Sequence, residues 1–389
     1  MSSDSAVVSA RGAARWTRGH PWIFRSDLIQ SPSLPAGAVR VEDNRGRPIG
    51  VALWSPKSEI SLRFVSRDPN ATLDQHWWNE AIARAVTHRH DTLRETNACR
   101  LIHGEGDALP SLVCDRYDRW LVVQLLSAGL ESFRDVIVSA LHEATECEGI
   151  LARNDTAVRE REGLTRETAL LFGEVPQEIE VNEHGVRYLA APWTGQKTGA
   201  FLDQRENRRL IGTLARGRAL DCFAYHGSFS LHMAGRADSV TALDSSADAL
   251  ARAQENAQRN GYQNISFLQG DAFEALRTFE RSDDRFDTIV VDPPAFAKSR
   301  SAIGAAMRGY HEVNLRAMRL LAPGGVMLTA SCSHHVDRGR FFEMLAAAAA
   351  DSGRRLVLRN IVGQPSDHPE LLTVPESGYL KGAVLEAAV

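Results

Sequence analysis

The sequence predicts an α/β protein whose C-terminal half is a doubly wound, mostly parallel sheet, preceded by a small basic β-rich module and a mixed middle segment. Three observations predict it. Four apolar runs after Gly217 each carry an aspartate at or near the carboxyl end and alternate with helical segments, the rhythm of β-α units. One of these runs, Thr288 to Val291, is continuous and rich in β-branched residues, as a strand buried on both faces must be, and it stops at Asp292-Pro293-Pro294-Ala295-Phe296. The first 72 residues instead show short alternating runs divided by tight turns.

The 389 residues allow two to three domains. A hydrophobic content of 43% with 24% charged residues is that of a soluble globular protein. No apolar run reaches the length of a membrane span, and Met-Ser-Ser-Asp-Ser lacks the basic and apolar regions of a signal peptide, so a cytoplasmic location and no membrane partner are expected. The cysteines, at positions 99, 114, 147, 222 and 332, are odd in number and without CxxC spacing, which argues against a disulfide framework and a structural zinc site; no metal is expected. Charge is uneven. Residues 1–72 hold ten basic side chains against six acidic, a net of +4, so with −4 for the whole chain the remainder carries −8. A basic module on an acidic body suits docking on phosphate.

Within that module, runs at 38–42, 48–54 and 60–65, divided by Asn44-Arg45-Gly46-Arg47 and Ser55-Pro56-Lys57, predict a small β-barrel. Arg15, Arg18, His20, Trp22, Phe24 and Arg25 interleave cations with aromatics, as phosphate pairing and base stacking require. The same pattern also arises when Trp22 and Phe24 fill a core and the arginines face solvent.

A helix is expected from Thr72 to about Glu95, capped by Thr72 or Asp74, with Trp77, Ala81, Ile82, Ala85 and Val86 on its apolar face. Strands at 112–117 and 120–126 meet at an Asp118-Arg119 hairpin turn, followed by a helix over 130–142 and a strand at 149–153. Residues 154–180 read as irregular, and 186–191 as a strand. This middle segment shows no catalytic constellation; its expected part is to connect, and to shape a wall of a substrate cleft.

From Gly195 the chain is denser in chemistry. Lys197 to Arg205 leads into a helix. A strand at 218–223, bearing Asp221, runs into the turn 224–230, where Gly227 lets a ligand approach the backbone and the exposed N–H groups of the helix start. The strand 239–243 ends at Asp244, 17 residues after Gly227, where an acidic tip is placed to take the hydroxyls of a ribose. The strand 265–268 ends in Gly270-Asp271-Ala272-Phe273, whose carboxylate could hold an adenine amino group. The turn at Gly227 is not the GxGxxG that cradles a pyrophosphate, so a cofactor with a ribose and no phosphate fits better.

Several stretches carry a resemblance: Gly19-His20-Pro21-Trp22-Ile23-Phe24, Gly104-Glu105-Gly106-Asp107-Ala108-Leu109-Pro110, Lys197 to Arg205, Asp221 to Gly227, Asp292 to Phe296 and Ser331-Cys332-Ser333-His334-His335. Through them residues 195–389 resemble a class I S-adenosylmethionine-dependent methyltransferase, and the whole chain resembles the bacterial 23S ribosomal RNA cytosine-carbon-5 methyltransferases with an N-terminal PUA domain. The resemblance implies a PUA barrel at 1–72, a small α+β central domain at 73–192, and at 193–389 a Rossmann-like sheet of seven strands with an antiparallel final hairpin. It implies S-adenosylmethionine as cofactor, held by Lys197, Phe201, Gln204, Arg205, Asp221, Phe223, Tyr225, Gly227, Asp244, Asp271, Ala272 and Asp292. It implies ribosomal RNA of the large subunit, 23S or its precursor, as partner, met by Arg15, Arg18, His20, Trp22, Pro293 and Phe296. A homodimer is compatible with it. His226 and Ser228 stand where the family more often has threonine and glycine.

The chemistry of cytosine supports the assignment separately. Carbon 5 is too weak a nucleophile to take a methyl group from a sulfonium directly, so a thiolate must first add to carbon 6. Cys332 follows a predicted strand, 326–330, which brings it to the carboxyl edge of the sheet with Asp292. Asp292 is expected to hydrogen-bond the ring nitrogen and exocyclic amine, and Phe296 to stack on the flipped base. Ala295 stands where another RNA cytosine methyltransferase family has a second, releasing cysteine, so water or an unassigned base must remove the carbon-5 proton. Cys222 reads as structural, and the adjacent His334 and His335 point apart in an extended chain, against a shared metal. Two other readings stay open: methylation of a base nitrogen, for which Cys332 is dispensable, and a non-catalytic RNA-binding or ribosome-assembly protein.

Overall fold

The computed structural model describes residues 5–297 and 300–388; residues 1–4, on which the argument against a signal peptide leaned, lie outside them. The chain forms two compact units. The first comprises Met1–Val181, Ala190–Leu202 and Ser366–Ser377, the second Asn182–Leu189, Asp203–Pro365 and Gly378–Val389.

The first unit contains two sheets. Strands β1 (Ser5–Val8), β2 (Trp22–Phe24), β3 (Leu28–Gln30), β4 (Gly37–Glu42), β5 (Pro48–Trp54) and β6 (Ile60–Ser66) make a six-stranded sheet in the order β2-β6-β5-β4-β1-β3. Alternation places Val39 and Val41 of β4 inward with Ala6, Val8, Ile23, Leu62 and Phe64. The second sheet holds β7 (Ala98–His103), β8 (Leu112–Tyr117), β9 (Trp120–Leu125), β10 (Gly149–Asn154) and β11 (Glu167–Gly173) in the order β11-β10-β9-β8-β7. Helices Gln75–Thr87 and Arg134–Thr145 contribute to its core.

Three local expectations change here. The helix expected over 72–95 ends at Thr87, and its Asp74 cap accepts the Trp77 N–H at 3.0 Å. Its buried face is Trp78, Ala81, Ile82 and Ala85, with Trp77 only half-buried, because 78, 81, 82 and 85 form one unbroken i, i+3, i+4, i+7 stripe. The segment expected to be irregular contains helix Ala157–Glu162 and strand β11. β11 is an edge strand with no fully buried position, so it lacks the alternation that would have announced it. Strand β12 (Ile179–Glu183) pairs with β13 (Val186–Ala190) through His184-Gly185, both at positive φ (51° and 85°), the geometry of a type I′ hairpin turn.

The second unit is built on β14 (Arg218–Cys222), β15 (Ser239–Asp244), β16 (Ile265–Gln269), β17 (Phe286–Val291), β18 (Leu321–Ser331), β19 (Leu356–Gly363) and β20 (Lys381–Ala387), in the order β16-β15-β14-β17-β18-β20-β19. The first five are parallel, while β20 runs antiparallel to both its neighbours. Pleating sends Ile289 and Val291 to one hydrophobic core and Val290 to the other, and Thr288 to Val291 are wholly buried, as a strand covered on both faces requires. The chain leaves β14 toward β15 and returns to β17 on its other side. That reversal makes the carboxyl ends of β14 and β17 the topological switch point, where sheets of this kind bind ligands. No helix among the described residues is long and apolar enough to cross a membrane.

Candidate active site

Two of the predicted site residues, Asp292 and Cys332, lie at neighbouring strand ends. Val291 pairs with Thr329 across β17 and β18, so Asp292, one residue on, and Cys332, three residues on, leave adjacent parallel strands at the same edge. Cys332 is half-buried, whereas Cys99, Cys114, Cys147 and Cys222 are buried, and none of the five is in a disulfide. Cys222 lies in the core, where burial pushes its thiol well up, consistent with an inert side chain.

The residues on either side of Cys332 hold its turn. Ser331 Oγ accepts the Ser333 N–H at 3.3 Å, and Ser333 Oγ hydrogen-bonds the buried Tyr310 hydroxyl at 2.9 Å. The Ala297 N–H donates to Ser333 Oγ at 3.2 Å, which ties the Asp292-to-Phe296 loop to the Cys332 loop. Pro293 is buried. The Phe296 ring packs against Tyr310 (centroids 4.7 Å apart), Phe273 (6.0 Å) and Phe223 (6.4 Å), an arrangement that fixes its plane.

Lys381 was missed by the sequence analysis. It opens β20 directly across from Ser331, is 4% exposed, and its Nζ donates to the Ser333 carbonyl and, at 3.0 Å, to the Tyr379 carbonyl. Burial lowers it to about 8, while proximity to Cys332 acts in the opposite direction. A signal existed: Lys381 is the one charged residue in the otherwise apolar run 380–385.

The other strand ends carry the acidic tips. Asp221, buried in β14, accepts the Ser230 N–H at 2.9 Å and its hydroxyl at 2.6 Å on Oδ2, while Oδ1 has no partner among the described residues. Burial raises this carboxyl to about 7, despite the Ser230 bonds, and the charges of Asp292 and Asp244 add to the rise. The turn that follows has Phe223 and Tyr225 at φ 66° and 50°, left-handed conformations that cost non-glycine residues energy and cluster at functional sites. Gly227, at φ 82°, caps the helix Ser228–Ala234, and a Cβ there would stand 2.9 Å from that of Ala253. His226 is buried among Tyr188 and Tyr225, and burial pushes it down to about 3. Asp244 accepts the Tyr225 N–H on Oδ2 at 2.8 Å and the Ser246 N–H on Oδ1 at 2.9 Å. Asp271 caps the helix Ala272–Arg281 by accepting the Glu274 N–H at 3.0 Å, and Ala272 is buried beside it.

The remaining candidates divide between the units. Gln204 and Arg205, both buried, belong to the second, where Gln204 Oε1 accepts from Asn207 at 2.6 Å and Arg205 Nε donates to Glu206 at 3.0 Å. Lys197 and Phe201 belong to the first, with the Lys197 Nζ 4.6 Å above the Phe201 ring. Their segment is anchored on the five-stranded sheet: the Thr198 hydroxyl bonds to Asp115, itself held by Arg100 at 2.8 and 2.9 Å, and Ala200 N–H donates to Tyr117 Oη at 3.1 Å. Near the amino terminus, Arg15 pairs with Asp27 at 3.1 Å and covers the Phe24 ring, and the Trp22 indole N–H donates to Glu105 at 2.8 Å. His20 Nδ1 accepts the Trp22 N–H at 3.2 Å, and Arg18 is exposed. Also unforeseen was a buried cluster in which Arg208 donates twice to Glu183 at 2.6 Å, with His232 at 3.0 Å and the Tyr188 hydroxyl at 2.9 Å on the same carboxylate.

Comparison with known proteins bears on the same arrangement. Residues 99–379 match the model of an S-adenosylmethionine-dependent methyltransferase family, and residues 7–67 that of a PUA-like domain. The ribosomal RNA large subunit methyltransferase I of Aeromonas hydrophila is 39% identical, with 100% of each chain covered. That of Shewanella amazonensis is 38% identical over 94% of this chain and 95% of the relative. A structure from Streptococcus mutans described as an S-adenosylmethionine-dependent methyltransferase superposes with a TM-score of 0.83 at 21% identity, covering 98% of this chain and 99% of the other, which bears on the fold. A further methyltransferase, solved with S-adenosylhomocysteine, gives 0.84 at 20% identity over the same shares. With a family match over most of its length and full-length relatives above 30% identity, the chain belongs to the S-adenosylmethionine-dependent methyltransferase family and carries a PUA-like domain at its amino-terminal end.

Proposed function

We propose that the protein methylates carbon 5 of a cytosine in large-subunit (23S) ribosomal RNA, with Cys332 as nucleophile and Asp292 as the group that binds the base. The observation that carries the reading is the Ala297–Ser333 hydrogen bond, which couples the Asp292 loop to the Cys332 loop at the ends of adjacent strands. The ribosomal RNA methyltransferase relatives support the substrate class. The three domains at 1–72, 73–192 and 193–389 belong to this reading, the first meeting RNA through Arg15, Arg18, His20 and Trp22.

S-adenosylmethionine supplies an electrophilic methyl group. The residues at these strand ends fit it: the buried Oδ1 of Asp221, with no hydrogen-bond partner among the described residues, can accept from a cationic donor, and Gly227, at φ 82°, holds the turn that leads into the helix start beside it. Asp244, whose oxygens each accept one backbone N–H, keeps lone pairs for ribose hydroxyls, and Asp271 has an oxygen left beyond its capping bond. Gln204, Arg205, Phe223, Tyr225 and Ala272, all in the second unit, complete the proposed cofactor set there; Lys197 and Phe201, which the resemblance also proposes, belong to the first unit.

On the substrate side, the Cys332 thiolate adds to carbon 6 and the electron pair of the 5,6 double bond makes carbon 5 nucleophilic. Asp292 binds the ring nitrogen and amine edge, and favours a protonated base as sulfur adds. Pro293 stiffens that turn, and Phe296, held in place by Tyr310, presents an aromatic surface to the flipped base. Loss of the carbon-5 proton then lets the double bond re-form and expels Cys332. The test is to incubate the protein with unmodified 23S RNA and labelled S-adenosylmethionine and to identify the labelled nucleoside by mass spectrometry, beside Cys332→Ser. Label in 5-methylcytidine, absent with the variant, is expected. Label in a nitrogen-methylated base, or activity surviving Cys332→Ser, would overturn the role given to Cys332.

A further inference from the structure

The ammonium of Lys381 is held next to Cys332. In the antiparallel register Lys381 stands opposite Ser331, the residue before the cysteine, and its Nζ donates to the carbonyl of Ser333, the residue after it. A second N–H goes to the Tyr379 carbonyl, and the third has no acceptor among the described residues. At 4% exposure such a charge is costly unless anions or carbonyls surround it. The titratable and charged groups that act on it among the described residues are Cys332, Asp337 and Arg338; His334 faces it and is lowered by its charge after burial, Tyr310 faces Cys332, and His335 follows in the turn. Asp337 is exposed and engaged with Arg340 at 3.4 Å, and Arg338 repels. That leaves the sulfur of Cys332 as the group best placed to become its counter-charge.

We propose that Lys381 is a positioning residue: its ammonium, anchored on the carbonyl of Ser333 next to Cys332 and on that of Tyr379, holds the Cys332 side chain as a thiolate. This rests on the reading of Cys332 as nucleophile, and it supplies what that reading lacks, since a free thiol with a pKa of about 8.5 is mostly protonated at neutral pH. The thiol proton passes to solvent and Lys381 keeps its own, leaving a neutral ammonium–thiolate pair; when the sulfur later adds to carbon 6, its negative charge passes into the ring, where the base protonated beside Asp292 takes it up. Burial lowers Lys381 to about 8 with proximity to Cys332 acting against it, so the amine is still largely protonated at neutral pH.

The experiment measures the rate of alkylation of Cys332 by iodoacetamide against pH in the full-length protein, by mass spectrometry of the peptide that contains it. The other four cysteines are buried, and Cys332→Ser supplies the background. The wild-type midpoint is expected below that of a free thiol. Lys381→Met is expected to move it up by about one pH unit or more, and Lys381→Arg to restore most of the shift, as loss and return of a nearby positive charge should. Lys381→Gln, which keeps N–H donors for the two carbonyls without the charge, should behave like Lys381→Met. A purely structural role would leave the midpoint of any folded variant unmoved, and that result overturns the proposal. So does a wild-type midpoint at or above the free-thiol value, which needs no variant at all. If Cys332→Ser is inactive and the midpoint of Lys381→Met is unchanged, the site reading stands and the role of Lys381 falls. If Cys332→Ser keeps activity while the midpoint moves, the reverse holds.

Discussion

The two halves of the seven-stranded sheet end in different ways. At β14, β15 and β16 the aspartates bind mostly backbone within nine residues, Asp221 taking Ser230, Asp244 taking Ser246 and Asp271 taking Glu274, while Asp244 also reaches back 19 residues to the Tyr225 N–H and so joins the turns after β14 and β15. At β17, β18 and β20 the connections are long-range: Ala297 to Ser333, Tyr310 to Ser333, and Lys381 to the Ser333 carbonyl. The first half is held within its turns and by one bond between neighbouring turns, as the proposed cofactor site requires. The second is a clamp assembled from three separate loops and strands, so its geometry depends on the whole sheet being in register.

The sharpest way to separate the halves is Cys332→Ser, expected to cut 5-methylcytidine formation by a factor on the order of a thousand or more while calorimetry gives the same affinity for S-adenosylmethionine. Gly227→Ala should do the opposite. A left-handed alanine costs about 1–2 kcal/mol and its Cβ meets Ala253, so cofactor affinity falls roughly tenfold or more, with the alkylation rate of Cys332 unaltered.

Protonation offers a third probe, confined to the half of the sheet proposed to hold the cofactor. Asp221 has a folded-state pKa raised from 3.8 to about 7, so the fold binds its proton more tightly than the unfolded chain does. Its contribution to stability is therefore present at low pH and lost as pH rises toward about 7. Relative to wild type, Asp221→Asn should gain about 2 kcal/mol of stability between pH 5 and pH 8 without cofactor, read by denaturant titration at each pH. An equal pH dependence for both proteins would show that the carboxyl is solvated. Taking the difference matters, because His226, pushed down to about 3 by burial, contributes with the opposite sign between about pH 3 and 6.5 in both proteins.

Smaller effects follow from single bonds. Ser333→Ala removes the hydroxyl that Tyr310 and Ala297 share, and should lower stability by about 1–2 kcal/mol. Because it loosens the clamp alone, kcat should fall while the KM for S-adenosylmethionine stays put; a KM effect would mean that the two halves are coupled. Asp271→Ala loses a helix cap worth about 1 kcal/mol, visible as a small drop in melting temperature, with a matching loss of cofactor affinity.

Much of this was legible beforehand. Strands β14 to β17 lie within two residues of the runs read from hydrophobic pattern, because a strand buried on both faces writes itself as a continuous apolar run. Asp244, Gly227 and the Asp292 turn could be singled out since strand tips, positive-φ glycines and proline stops are properties of a few consecutive residues. Strands β7, β11 and β12 carried no comparable signal, and Trp78 displaced Trp77 in a stripe that only the packed helix resolves.

The sequence by itself determined the parallel sheet, the order of its acidic tips and the identity of its one half-buried thiol's motif, all encoded in local periodicity and turn chemistry. Tertiary structure alone decided that Lys381 faces Ser331, that Tyr310 reaches Ser333 and that Glu183 meets Arg208 and His232. Those partners come from a strand that returns antiparallel from the end of the chain, and from helices tens of residues away. Their meeting is set by sheet register and core packing, which no window of neighbouring residues contains.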